Sequence, residues 1–231
     1  MKIEIYSDIH CPFCYLGKRR LEQDLKKMPD GDKVEILYRA YVLDPHAEKF
    51  SGKTVYQAQG DRKGMDASKI EANYRTIAEQ GKGFGLEFNM DAIIPTNTID
   101  ALALVQFAQM KGLQNQVMEK LYAAYYTHGE NVSDVPVLER IAGEAGLDIL
   151  ETREALNSGT YQERVLTDDK NIRAQKIEGI PYFIVNGKQA FFGSTATGEI
   201  VEYLLEGNKP LIKEIKPPSG MVCEDGICRL G

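Results

Sequence analysis

The chain has 231 residues, 43% of them hydrophobic, with 28 Lys and Arg against 34 Asp and Glu and a net charge of −6 at pH 7. That balance belongs to a globular protein with a real core, long enough for two modest domains. A nucleic-acid partner is excluded for want of a basic face, and a membrane span because no apolar run approaches ~20 residues.

The N-terminus, Met-Lys-Ile-Glu-Ile-Tyr, has neither the apolar stretch nor the small-residue cleavage site of a signal peptide, so the expected compartment is the reducing cytoplasm. Lys2 to Tyr6 alternates like a half-buried strand. After Ser7 to His10, Cys11-Pro12 opens a helix through Met28, with Phe13, Leu16, Leu21 and Leu25 at helical spacing. Pro12 suits the first helical position because its missing N–H would be unsatisfied there. Pro29-Asp30-Gly31-Asp32 is turn chemistry that ends this helix, and Val34 to Val42 reads as a second strand. The opening is therefore a βαβ unit with a C-x-x-C pair where the first strand meets its helix.

From about Ala67 to Lys176 the pattern is almost wholly helical. Asn97 or Thr98 caps a segment through Met110, which Gly112 stops; Val117 to Tyr126 continues to Gly129. Ser133 or Asp134 caps the next helix, with Pro136 in its first turn and Gly146 at its end, and Tyr161 to Ile177 forms a long final one. Gly81, Gly83 and Gly85 fit no phosphate-loop spacing and read as a flexible turn. Strand signals resume at Tyr182 to Val185, turn at Asn186-Gly187 and return over Ala190 to Phe192. Thr197 to Leu205 is the last helix, and Pro217-Pro218-Ser219-Gly220 links a tail to a second cysteine pair, Cys223 and Cys228. The expected architecture is an α/β thioredoxin fold formed by residues 1–60 and 170–207, an inserted all-helical domain at 61–169, and a tail at 208–231.

The chemistry follows from Cys11-Pro12-Phe13-Cys14. A cysteine at a helix N-cap sits where first-turn N–H groups and the helix dipole favour a thiolate, the attacking species in disulfide exchange. Cys11 is thus the candidate nucleophile, and Cys14, one turn inside the helix, the resolving thiol. A structural disulfide fits a cytoplasmic protein poorly. A four-cysteine zinc site needs the tail pair to meet the first, so no metal is expected. Gly179-Ile180-Pro181-Tyr182-Phe183 is the second signature. A proline there begins a strand rather than sitting inside one, and beside a redox C-x-x-C it is the candidate cis-proline facing the nucleophile.

Ser7 to Gly17, reading SDIHCPFCYLG, together with residues 178–188, reading EGIPYFIVNGK, resembles the DsbA family and in particular its FrnE-like branch. The resemblance covers nearly the whole chain. It implies a thioredoxin fold, Cys11 as nucleophile, Cys14 as resolving thiol, Pro181 as cis-proline, and protein or peptide thiols and disulfides as partners, with Phe13 and Ile180 facing the substrate. Phe13 departs from the tryptophan often found inside this C-x-x-C, and Leu102-Ala103 from the His-Arg that often follows the Asn-Thr helix start. The superfamily also holds glutathione-dependent isomerases and kappa-class transferases, which typically carry serine at the nucleophile position. Cysteine there argues for redox chemistry without a bound cofactor, and glutathione stays open as a co-substrate. A redox sensor or holdase is the non-enzymatic alternative. The sequence is silent on oligomeric state.

Four further readings complete the set. His10, just before the nucleophile, is a candidate modulator of its thiolate or else a loop histidine. Asp8 is a proton relay or, more commonly, a turn aspartate. Tyr122, Tyr125 and Tyr126 lie on one helix, where packing is the commoner role for an aromatic stripe. Cys223 and Cys228 flank Asp225-Gly226, a tight-turn signal that can close the ~17 Å extended span to disulfide distance. They are a candidate second redox pair, or else an incidental or metal-binding pair.

Overall fold

Alternation of Ile3 and Ile5 with Lys2, Glu4 and Tyr6 makes strand β1 (Lys2–Ser7), whose inward residues Ile3, Ile5 and Ser7 are buried. β2 (Glu35–Ala40) runs parallel to it, with Ile3 opposite Ile36 and Ser7 opposite Ala40. Parallel neighbours need a crossover, and helix α1 (Pro12–Lys27) supplies it. Its apolar stripe Leu16, Leu21 and Leu25 is buried, and Lys26 and Lys27 in the last turn complement the negative end of the helix dipole. The chain leaves α1 through Asp30 in the left-handed region (φ 57°) and Gly31, where a Cβ would stand 1.9 Å from the Leu25 carbonyl oxygen. Only glycine fits there.

The computed structural model describes residues 1–207 and, beyond them, only the backbone of two short strands. After β2 come α2 (Val55–Lys63), α3 (Ala67–Lys82), α4 (Ile99–Gln109), α5 (Gln114–Tyr122), α6 (Val135–Ala145), α7 (Ile149–Asn157) and α8 (Thr160–Ala174). α4 is buried from Ala101 to Ala108 and packs against α5, α7 and α8, while α4, α5 and α8 all rest on β2. α5 runs on into a π-helical turn at Ala123–Thr127. Such turns occur mostly as insertions in α-helices and are frequent at functional sites.

β3 (Tyr182–Val185) pairs antiparallel with β1, and β4 (Gln189–Phe192) antiparallel with β3, giving the strand order β2-β1-β3-β4 of the expected thioredoxin fold. Asn186 (φ 51°) and Gly187 (φ 66°) make the tight hairpin turn that the sequence predicts. The Asn186 side chain ties that turn to β1 by accepting from the Lys2 N–H at 2.8 Å. α9 (Thr197–Leu205) closes against α1. Among the described residues, no helix is long and apolar enough to cross a membrane.

The observed elements differ from the predicted ones mainly at their ends. β2 is shorter than Val34 to Val42, and α8 stops at Ala174, before Lys176 turns to positive φ (60°). α2 went unread, although Thr54 and Gln57 form a capping box, a signature visible in the sequence. In the tail, β5 (Met221–Glu224) and β6 (Ile227–Leu230) pair antiparallel with Cys223 opposite Cys228. The predicted turn at 225–226 and the side chains of both tail cysteines lie outside the described residues.

Candidate active site

Cys11 is the N-cap of α1, in extended conformation, and Pro12 is the first helical residue. The Cys11 N–H donates to the Asp8 carbonyl at 3.1 Å, and the Cys14 N–H donates to the Cys11 carbonyl at 3.0 Å, which fixes both thiols on one helical turn. Across the sheet, the Ile180–Pro181 bond is cis, as expected from the sequence. The Cys11 thiol reaches the Ile180 carbonyl at 3.7 Å, joining residues 169 positions apart. Gly17, one turn beyond Cys14, lets α1 lie against this loop, since a Cβ there would meet the Pro181 ring at 3.2 Å. The Pro181 carbonyl accepts from Gly193 at 2.9 Å, holding the loop from its other side.

Both thiols are buried, Cys11 to 5% exposure and Cys14 to 3%. Cys11 borders a cleft together with Pro12, Phe13 and Ile180, whereas Cys14 does not line it. Burial is the main reason the Cys14 thiol titrates well above the usual range, and the neighbouring Cys11 adds to it. The Ser7 hydroxyl and the Asp8 backbone pull the other way. Ser7 shares a 2.6 Å hydrogen bond with the buried Tyr122 hydroxyl, which also approaches the Asp8 carbonyl at 3.4 Å. A thiol whose folded pKa is raised stabilises the fold below its unfolded pKa and loses that contribution as pH rises through the folded value. The reduced protein should therefore lose stability from about pH 8.5 upward, ahead of the buried tyrosines that titrate above ~10. Denaturant melts between pH 7 and 10 should show a smaller loss in Cys14→Ala, and an equal loss would refute the assignment.

His10 is not the solvent-facing loop residue of one reading. It is 6% exposed, lines the cleft, faces Tyr125 with ring centroids 5.7 Å apart, and among the described residues has no hydrogen-bond partner on either ring nitrogen. Asp8 is fully buried and anchors backbone: its carboxylate accepts from the N–H of His10 at 3.3 Å and of Leu43 at 2.7 Å. Tyr122, Tyr125 and Tyr126 pack in the core, with Tyr15 stacked on Tyr122 at 4.7 Å. The sequence reading missed the far wall of the cleft, where α2 contributes Gln59, Arg62 and Lys63 and α3 contributes Ile70, Tyr74 and Ile77. It also missed Ser7 and the link between Ser7 and Tyr122. No local signal pointed to them, because their positions in sequence are far from the residues they touch. Among the described residues, no group of three or more His, Cys, Asp or Glu is placed to hold a metal ion.

Comparison with known proteins places this geometry among relatives. The profile of the DSBA-like thioredoxin domain matches residues 2–205. The uncharacterized protein YwbO of Bacillus subtilis is 27% identical over 185 residues, 79% of this chain and 86% of YwbO. A probable DsbA oxidoreductase from Streptomyces coelicolor superposes with a TM-score of 0.82 at 25% identity, covering 100% of this chain and 99% of its own. The cytosolic disulfide reductase DsbM of Pseudomonas aeruginosa, solved with glutathione, gives a TM-score of 0.62 at 15% identity, covering 90% of this chain and 98% of its own, and so shares the fold.

Proposed function

The chain belongs to the DSBA-like thioredoxin-domain family, whose profile spans residues 2–205, and from that premise we propose that it is a thiol–disulfide oxidoreductase exchanging disulfides with protein or peptide thiols through Cys11 and Cys14. One observation carries the reading: the C-x-x-C pair begins a helix, with the nucleophile candidate at the edge of a cleft and within 3.7 Å of the Ile180 carbonyl beside Pro181. A carbonyl and an apolar rim of Phe13 and Ile180 suit an extended peptide laid across the sulfur.

In the reducing direction, the Cys11 thiolate attacks a disulfide R–S–S–R, forming Cys11–S–S–R and expelling RS⁻, which takes a proton from water. Cys14, once deprotonated, attacks the Cys11 sulfur and expels the second RS⁻. Two electrons pass from the protein dithiol to the substrate, and the protein is left with a Cys11–Cys14 disulfide. Run backwards, the same steps oxidise a substrate dithiol. Glutathione is the candidate co-substrate for resetting the pair, a reading favoured by the likeness to DsbM, whose structure was solved with glutathione. The test is equilibration of the purified protein in glutathione redox buffers, followed by alkylation and mass measurement of the N-terminal peptide. We expect one two-electron transition, with a potential between about −270 and −120 mV, the span of C-x-x-C thioredoxin-fold proteins. A pair that stays reduced or oxidised across all buffers would overturn the reading.

A further inference from the structure

The cleft beside Cys11 is apolar on most of its surface, with Ile70, Tyr74, Ile77 and Ile180 all buried around it. Its α2 wall is different. The Arg62 guanidinium enters it partly buried, donating to the Gln59 side chain at 2.8 Å and to the Leu43 carbonyl at 3.4 Å. Its Nε is buried without a partner, and among the described residues no carboxylate lies within 4.0 Å of it. Most arginines of this acidic chain do have such a partner: Arg19, Arg39, Arg75, Arg140, Arg153 and Arg173 are each ion-paired. A guanidinium drawn out of water without a counter-charge is costly, and that cost is offset when an anion arrives.

A second observation falls on the same cleft. His10, more than nine-tenths buried, lines this cleft and also an adjoining one that shares Gln59 and Arg62. Among the described residues, neither of its ring nitrogens has a hydrogen-bond partner. Buried polar side chains in folded proteins are almost always satisfied, and here the His10 ring and the Arg62 Nε border one cleft without a hydrogen-bond partner among the described residues. Arg62 offers the planar donor fork that matches a carboxylate.

We propose that Arg62, held by Gln59 and assisted by His10, binds a carboxylate of the thiol or disulfide substrate while its sulfur lies at Cys11. Among the thiol and disulfide substrates of the proposed exchange, this contact selects carboxylate-bearing low-molecular-weight disulfides. This deepens the redox reading and rests on it. The chemistry of exchange is unchanged, and the carboxylate contact raises the share of encounters that place the sulfur for attack.

The experiment is a single-turnover measurement that needs no external reductant. Pre-reduced protein is mixed with dithiodipropionate, which carries two carboxylates, or with neutral hydroxyethyl disulfide. Samples are quenched in acid, alkylated, and scored for the Cys11–Cys14 disulfide by mass. A parallel pair uses a cysteine peptide disulfide flanked by glutamate and its glutamine counterpart. Loss of a charge-assisted hydrogen bond should lower the anionic-to-neutral rate ratio at least about tenfold in Arg62→Gln, with partial retention in Arg62→Lys. Because both rates come from the same protein sample, partial misfolding of a variant cancels in the ratio. A drop in the small-disulfide pair supports the proposal as stated, and a drop confined to the peptide pair overturns the small-ligand assignment in favour of acidic peptides. An unchanged ratio in both overturns the site. If the wild type forms no Cys11–Cys14 disulfide with any of the four, the redox reading itself fails.

Discussion

Cys14→Ser should turn the protein from a catalyst into a trap that accumulates covalent adducts on Cys11. In the proposed cycle the first attack belongs to Cys11, which borders the cleft, and release belongs to Cys14, which lies one helical turn inside and out of reach of substrate. With serine at position 14, no other cysteine within residues 1–207 can displace the substrate sulfur, and Cys223 and Cys228 are replaced by serine as well so that the tail pair cannot. Incubation with a disulfide substrate should therefore leave near-stoichiometric mixed disulfide, visible as a mass increase that a dithiol reductant removes. Cys11→Ser should give neither adduct nor turnover, since a serine hydroxyl lacks the thiolate on which exchange depends. Retention of activity in Cys11→Ser would instead favour glutathione-dependent isomerase or transferase chemistry of the same superfamily. Adduct formation on Cys14 rather than Cys11 would reverse the two roles.

Asp8→Ala should cost about 2–4 kcal/mol of stability and most of the exchange rate. The Asp8 carboxylate is fully buried and satisfies two backbone N–H groups, His10 on the way into α1 and Leu43 just beyond β2. Each buried donor left without its acceptor costs ~1–3 kcal/mol. In a chain of this size that corresponds to a fall in Tm of roughly 5–15 °C. The rate should fall as well, because the Asp8 carbonyl holds the Cys11 N–H and the two bonds share one residue's backbone geometry. Asp8→Asn keeps one acceptor oxygen and should lie between wild type and Asp8→Ala in both thermal melts and single-turnover rates. A Tm within 2 °C of wild type for Asp8→Ala would show that the carboxylate carries none of this load.

Much of this was legible in the linear sequence, for a definable reason. Alternation in Lys2 to Tyr6, helical spacing through Leu16, Leu21 and Leu25, Pro12 at a helix start and Asn186-Gly187 at a hairpin are all decided by interactions within a few residues of one another. β1, α1, β3, β4 and α9 therefore stand within a residue or so of the expected places, and the C-x-x-C falls on the first turn of α1. Element ends were less legible because they depend on what caps them. β2 stops at Ala40, beyond which the Val42 N–H is taken by the Asp169 carboxylate of α8 at 2.8 Å.

The sequence by itself determined the elements of the proposed chemistry: two cysteines one turn apart, the proline that opens their helix, and the Ile-Pro that begins the opposing strand. The tertiary structure alone decided what surrounds that chemistry. Ser7 meets Tyr122 across 115 positions, and Arg62 comes to the cleft of Cys11 only because α2 packs on α3 and α3 on α1. It also separated the readings of His10 and Asp8, burying the first without partners and making the second a backbone anchor. Spacing along a chain encodes which face of one element is apolar, but not which distant element will cover it. That choice is made by the packing of whole helices against the sheet, where burial of many side chains outweighs the preference of any single residue.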